Sequence, residues 1–248
     1  MRLTAIIIAK NEAANIGACL ESVAFADELI VVDDRSDDAT AQIAAAKGAR
    51  VLQRAFDGFG AQKNFALSLA QSDWVLSIDA DERVTPALAA EISNVIAAAR
   101  ADGYEVPRRS SFCGRMIRYG GWSPDYVLRL FRRGRACFSD HVVHERVDCN
   151  GPVARLREPL LHFPVLRLED ALSRMDRYST AGANVIHNSG RRVSFNTGIN
   201  HGLWAFFRAY VLRAGFLDGR EGFLLAVAIA EGSYYRYMKA WLRNLHCE

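Results

Sequence analysis

Asp79 and Asp81 stand two residues apart, directly after the apolar run 74–78. In extended backbone, residues i and i+2 project to the same side. Two carboxylates so placed offer hard oxygen ligands to Mg2+ or Mn2+, ions often shared with substrate phosphates, and acceptors for hydroxyl groups. The competing reading is a solvated acidic turn capping the next helix. A second acidic strand end, Asp33-Asp34, follows the apolar run 29–32. Acids at such positions accept hydrogen bonds from a base or from ribose hydroxyls. Asp37 or Asp38 is better placed to cap the following helix. Glu145 is the candidate general base for a reaction that removes a proton from a hydroxyl, against an ion pair with Arg146 or another arginine. His144 and His162 are candidates to complete a metal or diphosphate site, against ordinary hydrogen-bonded histidines. Trp122, Asp125 and Arg129 are candidates for a sugar pocket, because aromatic faces stack on sugar rings and carboxylates grip hydroxyls. For Trp122 the alternative is core packing.

The elements that must position these residues are legible as a pattern. Runs at 5–9, 29–32, 50–52 and 74–78 read as strands, and helical patterns lie between them. Asn11 is positioned to cap a helix with the stripe Ile16, Leu20 and Val23. Further helices are expected over 38–47, 60–71 and from Pro86 to about Arg100. Uninterrupted apolar strands alternating with helices predict an α/β fold with a mostly parallel sheet covered on both faces. Ligands in such sheets bind beyond the carboxyl ends of the strands. From residue 104 the texture changes to short β-like pieces separated by Gly, Pro and Arg. Residues 101–165 are expected to complete the same domain, with mixed or antiparallel strands. From 166 a helical tail is expected. In 222–245, Val227, Tyr234, Met238, Trp241 and Leu245 share one stripe, opposite Arg236, Lys239 and Arg243.

The 248 residues carry a net charge of only +3, so a generally polycationic nucleic-acid binder is excluded. Residues 1–124 hold 13 Lys/Arg against 16 Asp/Glu, whereas 125–248 hold 18 against 12. The back half should therefore attract anions such as phosphates or an acidic membrane surface. Five scattered cysteines without a C-x-x-C pair argue against a disulfide framework and fit a reducing compartment. No apolar run is long enough for a signal-peptide core or a membrane span, so a cytoplasmic protein is expected.

The order of these pieces carries a resemblance. Ala9-Lys10-Asn11-Glu12, then Asp33-Asp34-x-Ser36-x-Asp38-x-Thr40, then Gly58-Phe59-Gly60-x-x-Lys63-Asn64, then Asp79-x-Asp81 resemble the N-terminal nucleotide-sugar half of family 2 glycosyltransferases, the inverting group with the GT-A fold. Neither a G-x-G-x-x-G after the first strand nor a P-loop is present, against dinucleotide oxidoreductases and NTPases. The resemblance implies that Ala9 and Glu12 hold base and ribose and that Asp33 or Asp34 binds the pyrimidine. It implies that Lys63 lies near the nucleotide, that Asp79 lies near ribose and sugar, and that Asp81 ligates the metal at the diphosphate. Phe112-Cys113-Gly114-Arg115, Gly121-Trp122-x-Pro124-Asp125, Arg129-Leu130-Phe131-Arg132-Arg133 and Val143-His144-Glu145-Arg146 look like bacterial lipopolysaccharide core β-1,4-glucosyltransferases. That likeness implies a UDP-glucose donor, a Mg2+ or Mn2+ cofactor and a lipid-linked saccharide acceptor at the cytoplasmic face of the inner membrane. The aromatic, basic tail is expected to touch that membrane peripherally; core packing or a dimer contact is the alternative. Rival readings are a nucleotidyltransferase of sugar-phosphate activation and a non-catalytic member of the same fold.

Overall fold

The computed structural model describes residues 1–139, 146–165 and 167–245. In chain order the elements are β1 (Leu3–Ala9), α1 (Ile16–Ser22), β2 (Glu28–Asp33), α2 (Thr40–Ala46), β3 (Arg50–Gln53), α3 (Phe59–Leu69), β4 (Trp74–Ser77), β5 (Glu82–Val84) and α4 (Pro86–Ala98). They continue with β6 (Gly103–Phe112), β7 (Arg115–Met116), β8 (Asp125–Arg132), β9 (Ala136–Phe138), β10 (Val147–Cys149), β11 (Val153–Arg155) and β12 (Leu160–Val165). Three helices follow: α5 (Leu168–Asn188), α6 (Phe195–Phe207) and α7 (Gly219–Leu245). A π-helical turn (Arg208–Leu212) and a 3-10 turn (Gly215–Asp218) link α6 to α7.

These elements form two compact units. The first holds residues 1–108 and 125–162; the second holds 109–124 and 163–248. In the main sheet the strand order is β3-β2-β1-β4-β8-β6-β12-β5. The stretch β3-β2-β1-β4 is parallel, and β8 turns it antiparallel by pairing with β4 and then with β6. The parallel stretch explains the uninterrupted apolar runs. Leu3, Ala5, Ile7 and Ala9 enter the core on one face, while Ile6 packs in the core on the other. Trp74, Leu76 and Ile78 alternate with Val75 in the same way. A strand covered on both faces buries apolar side chains on each.

Helix starts follow local chemistry where the sequence offers it. Thr85 caps α4, its hydroxyl accepting the Leu88 N–H, with Pro86 at the first helical position. Asn11 does not cap α1, which begins five residues later. It adopts a left-handed backbone, φ 55°, and its side-chain oxygen accepts the Asp37 N–H at 2.9 Å. Asn11 thus ties the loop after β1 to the loop after β2. Ile16, Leu20 and Val23 are all buried, as their spacing predicted.

The second unit has its own core of Phe112, Ile117, Val165, Ala171 and Leu225, against which Trp122 packs. Helix α7 uses both of its faces on neighbouring helices. Trp241 meets Phe195 of α6 edge to face, and Met238 is buried beside Gly198. Lys239 bonds Asp176, Ser179 and Thr180 of α5, and Arg243 bonds Asn184. The amphipathic stripe of 222–245 is therefore largely internal packing. Among the described residues no helix is long and apolar enough to cross a membrane.

Candidate functional site

The parallel order β2-β1-β4 brings the two acidic strand ends to either side of the carboxyl end of β1. Ala9 pairs in register with Asp33, and Ile6 with Ser77. Beyond Ser77 the chain makes a turn at Asp79, closed by the Glu82 N–H donating to the Asp79 carbonyl at 2.9 Å. Arg83 braces this turn by donating to the carbonyls of Ala80, Glu82 and Asn15. Cys19 donates its thiol to the Asp79 carbonyl at 3.4 Å; burial pushes that thiol up to about 12, so it remains a packing residue rather than a nucleophile.

Two cations meet the Asp79 side chain, and Glu82 and Arg108 extend the cluster around it. Lys63, buried on α3, places its ammonium 2.9 Å from Oδ1. Arg129, buried on β8, donates one nitrogen to Oδ2 and also reaches Glu82 Oε1 at 2.6 Å. Glu82 is fully buried and accepts the Asp79 N–H through its other oxygen at 3.0 Å. Arg108 of β6 lies 3.5 Å from Glu82 and holds Asp125 at 2.7 Å. Burial alone would raise the Asp79 carboxyl, but Arg129 and then Lys63 outweigh it and hold the group far below the usual carboxylate range. Arg129 is held fully charged, because Asp79 and Glu82 outweigh the burial that would lower it.

This cluster lines a cleft of about 630 Å3. Lys63, Asp79, Arg108 and Arg129 form one part of its wall, and Arg146, Asp148 and Cys149 another. The β9–β10 hairpin that carries the latter is fixed by Asn64 of α3, which exchanges two hydrogen bonds with the Phe138 backbone, at 2.8 and 2.9 Å. The cleft is thus basic at its floor, with carboxylates placed among the cations.

Asp81 lies just past this cluster, with its Oδ2 3.4 Å from His162 Nε2. His162 arrives on β12, in register with Glu82 of β5. Among the described residues no group of three or more His, Cys, Asp or Glu is gathered as a metal site. The two donors present still suit a divalent ion: a carboxylate and an imidazole leave most coordination positions to phosphate oxygens and water, the usual condition of such ions on nucleotides. Asp79 is not part of that set, because the Lys63 and Arg129 cations against its oxygens would repel a metal ion there.

At the other strand end, Asp33 is fully buried, and its carboxylate accepts both the Ser36 N–H, at 3.0 Å, and the Ser36 hydroxyl, at 2.5 Å. It closes the turn in spite of its early position. Asp34 accepts from Lys10 at 2.8 Å and from the Phe56 N–H at 2.9 Å, and its carboxyl is held below its ordinary value chiefly by Lys10. Glu12 accepts from Asn15 at 2.8 Å, and its N–H donates to Thr40 at 2.8 Å. Asp38 receives the Thr40 N–H at the start of α2.

Not every expected residue joins the cleft. Trp122 sits in the apolar core of the second unit, edge-on to Phe112 at 6.0 Å, which is the packing alternative weighed for it. Asp125 is tied to Arg108. His144 and Glu145 lie outside the described residues, although the next residue, Arg146, lines the cleft. Sequence reasoning missed Glu82 and Arg108. Glu82 stood one residue beyond the Asp79-x-Asp81 motif and was the available hint; Arg108 had no local signal, since its partners lie 17 and 26 positions away.

Residues 4–155 match the family model described as Glycosyl transferase family 2. The chain belongs to this glycosyltransferase family. Relatives include an uncharacterized glycosyltransferase of Rickettsia felis, 32% identical over 256 residues, covering 96% of this chain and 89% of the relative. The lipopolysaccharide core biosynthesis glycosyltransferase LpsC of Rhizobium meliloti is 32% identical over 251 residues, covering 96% of this chain and 90% of LpsC. Among solved structures, S. aureus TarS 1–349 in complex with UDP-GlcNAc aligns over 98% of this chain and 92% of that one, with a TM-score of 0.51 and 15% identity. That likeness concerns the fold, and the chain has the GT-A architecture of family 2: a mixed sheet with flanking helices, followed by C-terminal helices.

Proposed function

We propose that this family 2 glycosyltransferase moves glucose from UDP-glucose to a sugar hydroxyl of a lipopolysaccharide core precursor, with inversion at the anomeric carbon. The observation that carries this reading is the Asp79 cluster: a carboxylate locked between Lys63 and Arg129 on the floor of a basic cleft, with Asp81 and His162 paired beside it. The 32% identity to LpsC over nearly the whole chain supports the acceptor class.

In this reading the chain's own groups divide the work. Asp34 and Glu12, beside the end of β1, face the base and ribose, and Asp33 shapes the loop that presents them. Asp79 stays ionised and accepts hydroxyl hydrogens of the donor; a carboxyl held so low is a poor base at neutral pH. Glu82 is sealed against Arg129, which leaves it unfit for that task too. Glu145 then takes the acceptor proton. Arg146 and Arg108, on the cleft wall, offer guanidinium groups to the diphosphate. Asp81 and His162, with His144, would hold Mg2+ or Mn2+. Such an ion, when bound, offsets charge on the departing diphosphate. Holding donor and acceptor in one cleft supplies much of the acceleration. The enzyme would act peripherally on the cytoplasmic face of the inner membrane.

Melting curves with a panel of nucleotide-sugars, with and without Mn2+, test the donor; UDP-glucose plus Mn2+ should stabilise most. Glu145→Gln should cut UDP release by about 100- to 10,000-fold while donor affinity holds. Release of pyrophosphate instead of UDP would replace this reading with nucleotidyl transfer.

A further inference from the structure

The second unit carries a pocket of about 380 Å3 lined by Arg118, Tyr119, Gly121, Ser123, Pro124 and Arg213. Its frame is built. Asp218, only 3% exposed, accepts the backbone N–H groups of Arg118 at 3.1 Å and of Tyr119 at 2.8 Å. The Gly120 N–H donates to the Arg213 carbonyl at 2.9 Å. At Gly121, φ 90°, a Cβ would lie 2.1 Å from the Arg213 guanidinium, so glycine leaves the space this arginine uses. Among the described residues neither guanidinium is paired with a carboxylate; the nearby acid, Asp218, spends its oxygens on backbone. Two unneutralised arginines in one concavity select a doubly ligated anion, and phosphate fits forked guanidinium donors.

The surroundings say which kind of phosphate. Val211, Leu212, Phe216 and Leu217, on the turns that carry Arg213, are 45–57% exposed. Phe216 and Phe223 both pack against Tyr210, at 6.2 and 5.5 Å, so the exposed rings form one continuous patch. Arg208 and Arg220, also exposed, add positive charge at its edge. An apolar prominence with a cationic rim matches the boundary between acyl chains and anionic headgroups.

We propose that this pocket receives the phosphate of an anionic phospholipid while residues 211–217 sink into the acyl boundary. The inference rests on the membrane-surface part of the reading above, and it assigns that contact to the turns between α6 and α7 rather than to the stripe of α7. Sedimentation with phosphatidylcholine vesicles, with and without phosphatidylglycerol, tests it. The native chain should bind only the anionic vesicles. R118Q/R213Q should weaken that binding about 30-fold, at roughly a tenfold loss per 1.4 kcal/mol and about 1 kcal/mol per arginine. F216S/L217S should weaken it too, and R118K/R213K should restore much of it. Circular dichroism melts confirm folding, and Arg118→Gln alone serves if the double variant does not fold. Native-level binding by folded R118Q/R213Q would overturn the pocket assignment and leave the membrane reading standing. No binding by the native chain would overturn both. Thermal stabilisation of the native chain by inorganic phosphate at constant ionic strength, with vesicle binding unaffected by that phosphate, would make the pocket a site for soluble phosphate and overturn the lipid assignment.

Discussion

The two acidic strand ends flanking β1 look alike in sequence and differ in how their charge is met. At the end of β2, the carboxylates are satisfied by near neighbours: Asp33 by Ser36, and Asp34 by Lys10 and the Phe56 N–H of adjoining loops. At the end of β4, they are satisfied by cations from α3, β6 and β8, with Glu82 buried among them. The first end is a set of loop ties and the second is a charged core. A buried charged group is costly unless every partner is present. The second end should therefore be intolerant of any single loss, and the first should degrade gradually.

Arg129→Met is the severest test of that contrast. It leaves Glu82 fully buried, with the Asp79 N–H and Arg108, 3.5 Å away, to meet its charge. We expect a loss of about 3–5 kcal/mol, seen as a melting temperature lower by roughly 10 °C. A loss below about 1 kcal/mol would mean that Arg108 swings in and that the cluster is redundant. Asp79→Asn should cost less, about 2 kcal/mol, because a third of its side chain is exposed and solvent screens it. Its pH signature is specific. A carboxyl held below its unfolded value adds stability above about pH 4 and loses it only as pH falls through the folded value. Denaturation curves of the native chain should thus steepen in strong acid, and those of Asp79→Asn should steepen less. Asp33→Ala comes next, at about 1–2 kcal/mol for the lost turn bonds to Ser36. A cost equal to that of Arg129→Met would erase the distinction between the two ends.

What could be read beforehand follows the same division. The parallel strands, most helix positions and both acidic ends were legible because periodicity and neighbouring residues determine them. The buried stripe of Ile16, Leu20 and Val23 is an instance. Asn11 was misread as a helix cap because its partner, Asp37, lies across two loops. Arg129 was legible as a site residue, yet its ion pairs with Asp79 and Glu82 were not, because antiparallel β8 returns beside β4 from far along the chain. The tail showed its amphipathic pattern plainly. Pattern alone did not say that the stripe packs on α6 while Val211, Leu212, Phe216 and Leu217 stand exposed on the connecting turns.

The smallest effect belongs to Lys10→Met, and it sharpens the comparison most economically. Lys10 is 56% exposed, and its bond to Asp34 lies at the surface, where ion pairs contribute little to stability. Melting temperature should stay unchanged within error at every pH. The carboxyl itself should respond, since Lys10 is the chief cause of its lowered value. Followed by NMR titration, Asp34 should move upward in the variant, yet remain somewhat low because the Phe56 N–H still donates to it. An unmoved titration would assign the shift to the backbone alone. A marked fall in melting temperature would make this end a charged core like the other, and the difference between the two strand ends would then be one of exposure rather than of kind.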